Sequence, residues 1–112
     1  AHVASHQGIV AAANACGQEA YIHYHAIPAV IFTHPEIASV GLTAEQAKEK
    51  GLNFSVGTFP FQALGKSIAT METEGFAQVI ADKKTGEILG AHVVGHEASA
   101  LISEMALAIN NE

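Results

Sequence analysis

Apolar positions along this chain change spacing several times, and each change marks an element. The opening run AHVASHQGIVAAANA is alanine-rich, with Val3, Ile9 and Val10 loosely on one face, and predicts a helix over 1–15 that Gly17 can stop. Residues 18–26 are polar and aromatic, with Tyr21 and Tyr24, and read as a linker into the apolar run Ile27-Pro28-Ala29-Val30-Ile31. A strand is expected over 28–33. Alternation from Phe54 to Phe59 predicts a half-buried strand ended by Pro60. The β-rich runs 76–81 and 87–94 flank Asp82-Lys83-Lys84-Thr85-Gly86, which has the residues of a five-residue hairpin loop. From Ala98 to Ile109, a stripe of Leu101, Met105 and Ala108, with Ile102 and Ile109 beside it, predicts a closing helix.

One element carries its own punctuation. Thr43-Ala44-Glu45-Gln46 fits a capping box, in which the Thr43 hydroxyl accepts from the Gln46 amide and the Gln46 side chain returns to the Thr43 N–H. A short helix to Lys50 follows, with Gly51 supplying the left-handed exit. Residues 61–75 show no clear period. Strands in hairpin order with helices set apart give an α+β class: one antiparallel β-sheet packed by helices. No internal repeat or low-complexity tract appears.

With 112 residues and 49% hydrophobic content, the chain has the size of one ordinary domain with a real core. Eleven acidic residues stand against five lysines, and arginine is absent. Phosphate recognition leans on arginine forks and basic patches, so no nucleic-acid partner and no acidic membrane surface are expected. The absence of any 18-residue apolar run or basic-then-apolar leader argues against a membrane span or secretory signal, and the chain reads as soluble and intracellular. It begins without methionine in what looks like the middle of a helix and stops at Asn110-Asn111-Glu112 as another helix ends. Both ends are expected to be cuts.

Candidate chemistry is thin. His2 and His6, His23 and His25, and His92 and His96 have usable pair spacings, but zinc sites take three or four ligands and these pairs sit in separate elements without cysteine support. They are read as ordinary histidines, with a metal-binding module kept as an alternative. Asp82, the one aspartate, falls in the hairpin loop, and no Gly-x-Ser-x-Gly elbow or Gly-x-Gly-x-x-Gly turn is present. Cys16 is the sole cysteine, which excludes an intramolecular disulfide, and is read as a small buried residue. In FTHPEIASVG, His34 and Glu36 suggest a catalytic loop, whereas Pro35 favours a bend that stops sheet pairing and leads through 39–41 to the Thr43 cap.

Three runs together, AHVASHQGIVAA, IPAVIFTHPEIASVGLTAEQAKEKG and GFAQVIADKKTGEILGAHVVGHEASALISEMALAI, resemble the C-terminal part of the flavin-dependent pyridine nucleotide-disulfide oxidoreductases. The nearest branch is the dihydrolipoamide-oxidising enzymes. The resemblance implies a homodimer in which a redox-active disulfide beside FAD takes two electrons from dihydrolipoamide and NAD⁺ receives them. It also implies service to the lipoyl domain of 2-oxo acid dehydrogenase complexes and to glycine cleavage, in bacterial cytoplasm or the mitochondrial matrix. Residues 1–20 would be the last helix of the FAD-binding domain. Residues 21–112 would be the interface (dimerisation) domain, truncated before the catalytic histidine motif.

For the site residues, the resemblance matches Ala1 and His2 to a stretch whose backbone meets the flavin at a helix start, and Val30 to a position whose carbonyl approaches the nicotinamide. It implies no catalytic residue within the chain. His34-Pro35-Glu36 is not the family's His-x-His-Pro-Thr-x-x-Glu motif, so the acid-base histidine is expected beyond Glu112. Interface domains of glutathione and mercuric reductases share the Thr/Ser-x-Pro-x4-Val-Gly layout and remain an alternative, as does a stand-alone non-catalytic interaction module.

Overall fold

Alternating apolar positions on strands that follow one another in sequence build a single antiparallel sheet. In the computed structural model, which describes residues 1–111, the order is α1 (His2–Ala15), β1 (Ala29–Ile31), β2 (Glu36–Gly41), α2 (Ala44–Glu49), β3 (Phe54–Pro60), α3 (Gly65–Thr70), β4 (Gly75–Asp82), β5 (Ile88–Gly95) and α4 (Ala98–Asn110). The sheet runs β1-β2-β5-β4-β3, with every neighbouring pair antiparallel. This is the α+β architecture the pattern predicts. Glu112, the last residue of the expected interface domain, lies outside the described residues.

Register decides which side chains meet. Val30, Ala38, Val93 and Ala77 stand opposite one another across four strands, and Val40, Ala91 and Val79 form the next row. Those rows face α4, which lies across β2 and β5 and inserts Ala98 and Ile102 into them. Phe61, in a 3-10 turn after β3, closes one end of this core. On the opposite face Ile80 is wholly buried beside Gly90. The Leu42 backbone crosses Gly90 so closely that a Cβ there would stand 2.0 Å from the Leu42 carbonyl oxygen, so only glycine fits.

Local chemistry explains the turns. The Thr43 hydroxyl accepts from Gln46 N at 3.1 Å and the Gln46 side chain accepts from Thr43 N at 3.0 Å, forming the capping box at α2. In the β4–β5 loop, Asp82 Oδ1 accepts from the N–H groups of Lys84 and Thr85 at 2.8 and 2.9 Å, and Gly86 takes φ +81°. Both N–H groups hold the Asp82 carboxyl below its ordinary range.

Several expectations need correction. Residues 36–41, read as a bend leading to a cap, form β2, the strand that joins β1 to the centre of the sheet. Pro35 therefore interrupts pairing without ending it; the His34–Pro35 peptide is cis. The strand expected over 28–33 shortens to Ala29–Ile31, and Phe32 beyond it is exposed. Residues 61–75 resolve into the 3-10 turn and α3. On α4 the buried stripe is Ala98 and Ile102 with Met105, Ala106 and Ile109, because the helix is rotated so that Leu101 faces outward, 44% exposed. Cys16, expected to be buried, is an exposed free thiol after α1.

The outline is long, 54 × 33 × 22 Å, with a radius of gyration of 16.5 Å. About 13 Å is usual for this length. The excess comes partly from α1, which has no buried residue and is tied on by Asn14 to Ala20 and by Gln7 to the Tyr24 hydroxyl at 3.0 Å. The chain exposes 7506 Å². A chain of this mass usually exposes roughly 5,800 Å², so surface sufficient for about two standard contacts is left uncovered.

Candidate functional site

The bend between β1 and β2 combines the residues that looked catalytic. Thr33 Oγ1 donates to the Pro35 carbonyl at 2.7 Å and fixes the turn. The Glu36 side chain reaches α4: its Oε2 accepts the Ser99 backbone N–H at 2.9 Å, in the first turn of that helix. That N–H, then the Ser99 side chain, then nearby His96 hold the Glu36 carboxyl below its ordinary range. Glu36 thus serves as an acceptor for the first turn of α4, and the same contact makes it a weaker proton acceptor than an ordinary carboxylate. Glu97, at φ +59°, precedes α4 and pairs with Lys66 Nζ at 2.9 Å, which lowers its carboxyl in the same way. Both partners are more than half exposed, so this pair adds little stability.

The residues expected near a cofactor are far less enclosed. Ala1 sits at the N-terminal end of α1, its carbonyl accepting Ser5 N at 3.0 Å, and no side chain caps the first turn. His2 follows it, exposed. Val30 lies in β1, an edge strand, half-buried with its side chain packed against the α4-side core. Ala1 and His2 share one helix start, and Val30 belongs to a separate element.

The histidine pairs find other uses. His23 and His25 meet edge to face with ring centroids 6.1 Å apart, and His92 Nε2 lies 3.1 Å from the Leu42 carbonyl oxygen across the sheet. Among the described residues no group of three His, Cys, Asp or Glu side chains comes together to hold a metal ion. No helix among them is long and apolar enough to cross a membrane.

The surface that sequence reasoning missed lies beside α4. This helix lies mainly over β2 and β5, reaches the flank of β4 at Ala77 and Val79, and leaves β3 largely exposed. A groove of about 180 Å³ follows, lined by Ala77, Val79, Leu101, Glu104 and Met105. Phe59, 49% exposed, stands in the same cross-strand row as Ala77. The signal available in the sequence was the composition of ASALISEMALAIN, whose one charge is Glu104.

Residues 27–112 match the family described as pyridine nucleotide-disulphide oxidoreductase, dimerisation domain. The chain is 54% identical over all 112 residues to a dihydrolipoyl dehydrogenase of Chlamydia muridarum, of which it covers 24%. It is 48% identical over 109 residues to one of Bacillus subtilis, covering 97% of this chain and 23% of that protein. Among solved structures, LpdA from Mycobacterium tuberculosis superposes with a TM-score of 0.85 at 29% identity, covering 98% of this chain and 24% of that one. The HOCl-induced flavoprotein disulfide reductase RclA from Escherichia coli follows at 0.73 and 29%, over 76% of this chain and 20% of its own. The chain thus spans about a quarter of the length of the curated relatives it matches. An antiparallel sheet half covered by one apolar helix, matched by the family model from Ile27 onward, belongs to the pyridine nucleotide-disulphide oxidoreductase dimerisation domains.

Proposed function

We propose that this chain is the dimerisation domain of a flavoprotein that oxidises dihydrolipoamide to lipoamide, as a homodimer using FAD and NAD⁺. The observation that carries this reading is 54% identity, across every residue of the chain, to a protein named dihydrolipoyl dehydrogenase. The chemistry FAD supplies when bound is two-electron transfer from a dithiol to NAD⁺. What these residues contribute is position and contact.

Two features suit that role. Ala1 and His2, at the N-terminal end of α1, would meet the flavin edge through backbone groups, as the partial positive charge of helix N–H groups suits the electron density a flavin gains on reduction. Val30 would present backbone from an edge strand while its side chain holds the core. Residues 1–20 are assigned to the end of the FAD-binding domain and 21–112 to the dimerisation domain; the exposed α1 and a family match beginning at Ile27 support this division. The lipoyl domain of a 2-oxo acid dehydrogenase complex is the corresponding macromolecular substrate, in bacterial cytoplasm or mitochondrial matrix.

The test is turnover by the protein expressed from its whole gene. With dihydrolipoamide and NAD⁺ the expected result is NADH formation. Reduction of glutathione disulfide or mercuric ion, without activity on dihydrolipoamide, would overturn the assignment in favour of a related reductase.

A further inference from the structure

We propose that His23 and His25 together bind a divalent transition-metal ion, Cu(II) above all, on the linker between α1 and β1. Two imidazoles separated by one residue can chelate one ion, and here the rings already lie together, with centroids 6.1 Å apart and planes inclined at 71°. An ion about 2 Å from one nitrogen of each ring sets the ring centres roughly 4.5–6 Å apart. Both residues are exposed, so rotation about their side-chain bonds closes the small difference. Neither ring makes a hydrogen bond to any described residue, unlike His92, whose Nε2 is engaged by the Leu42 carbonyl.

The backbone that carries the pair is held in place. Asn14 exchanges two hydrogen bonds with Ala20, and the hydroxyl of Tyr24, between the two histidines, accepts from Gln7 Nε2 at 3.0 Å. Ligands on a pinned segment lose less freedom when an ion arrives. Two imidazoles are fewer donors than a structural zinc site takes, so water must complete the shell. His25 lines a polar cavity of about 510 Å³ with room for it. Lys50 and Glu87, which line the same cavity, carry opposite charges, and the neutral imidazoles remain the donors that select the ion. Imidazole suits zinc, nickel and copper, and Cu(II) binds tightest of these. The rival pair, His2 and His6, lies one turn apart on α1, whose start is assigned to the flavin edge. A linker between domains runs over the surface instead.

The experiment uses the protein expressed from its whole gene, in its oxidised form, with C16S removing the exposed thiol that competes for copper. Titrated with copper sulfate at neutral pH, it should bind one ion per chain that the C16S/H23N/H25N protein does not. Each single replacement, H23N or H25N, should weaken that ion at least about tenfold, because the second imidazole acts at high effective concentration. H6N should leave it unchanged. Electron paramagnetic resonance supplies a readout that needs no histidine variant. At one equivalent the copper spectrum should carry hyperfine lines from two imidazole nitrogens, and these should fade as pH falls through the imidazole range, where protons take the same lone pairs. Equal copper uptake by the double variant, or a spectrum at one equivalent without imidazole nitrogens, would overturn the site. The dimerisation reading stands apart from either result.

Discussion

Glu36 and Ser99, 63 positions apart, are joined by a 2.9 Å hydrogen bond from the Ser99 backbone N–H to the Glu36 carboxylate. The bond ties the first residue of β2 to the first turn of α4, and a helix start offers just the donors an ionised carboxylate stabilises. Because the folded protein holds Glu36 below the ordinary carboxylate range, the unfolded chain binds more protons in acid, and stability falls there. The contribution is whole above the unfolded carboxylate value and is lost as pH drops through the lowered folded value. E36A should therefore reduce Tm near neutrality, and its difference from wild type should shrink in acid. Thermal melts between neutral pH and strong acid check this; a difference independent of pH would contradict it.

Gly95 sits against Phe61. At φ +147°, a Cβ built on Gly95 would stand 2.3 Å from the Phe61 ring, which is 4% exposed and part of the core. G95A should destabilise by about 1–3 kcal/mol, through overpacking and a backbone conformation that disfavours side chains. A double-mutant cycle with F61L, measured by urea unfolding, separates the two causes: recovery in the pair reports the clash, and simple additivity reports backbone alone.

What could be read in advance follows from how local each cause is. The Thr43–Gln46 box spans three residues, and the Asp82 loop closes on its own N–H groups, so both were legible. Strand β2 was not, because its partners lie at 29–31 and 90–95 and Pro35 looks like a terminator. Rotation of α4 was illegible for another reason: with one charge, its polar side is marked only weakly, by Ser103, Glu104 and Asn110, and Leu101 and Ile102 compete for the core. Ala1, His2 and Val30 came from resemblance alone. The role of Glu36 needed a contact that no spacing rule reaches.

The capping box itself is testable in isolation. Replacing Thr43 by alanine removes the acceptor for Gln46 N at the start of a six-residue helix, and should cost about 1 kcal/mol. Serine at the same position keeps the oxygen and should lose only a fraction of that. Chemical denaturation of both variants decides between a capping effect and a general intolerance at 43, which would lower both equally.

The two neighbours Leu101 and Ile102 should behave as opposites. Ile102 is 1% exposed within the α4-side core, so I102A should cost about 2–5 kcal/mol by emptying a packed site. That cost is internal to one chain and should not depend on protein concentration. Leu101 is 44% exposed in the chain itself, so truncating it removes little from the fold. L101A should therefore cost about 1 kcal/mol or less. Urea unfolding of both variants gives the contrast: a large loss for I102A and a small one for L101A. Equal losses would place Leu101 in the core beside Ile102.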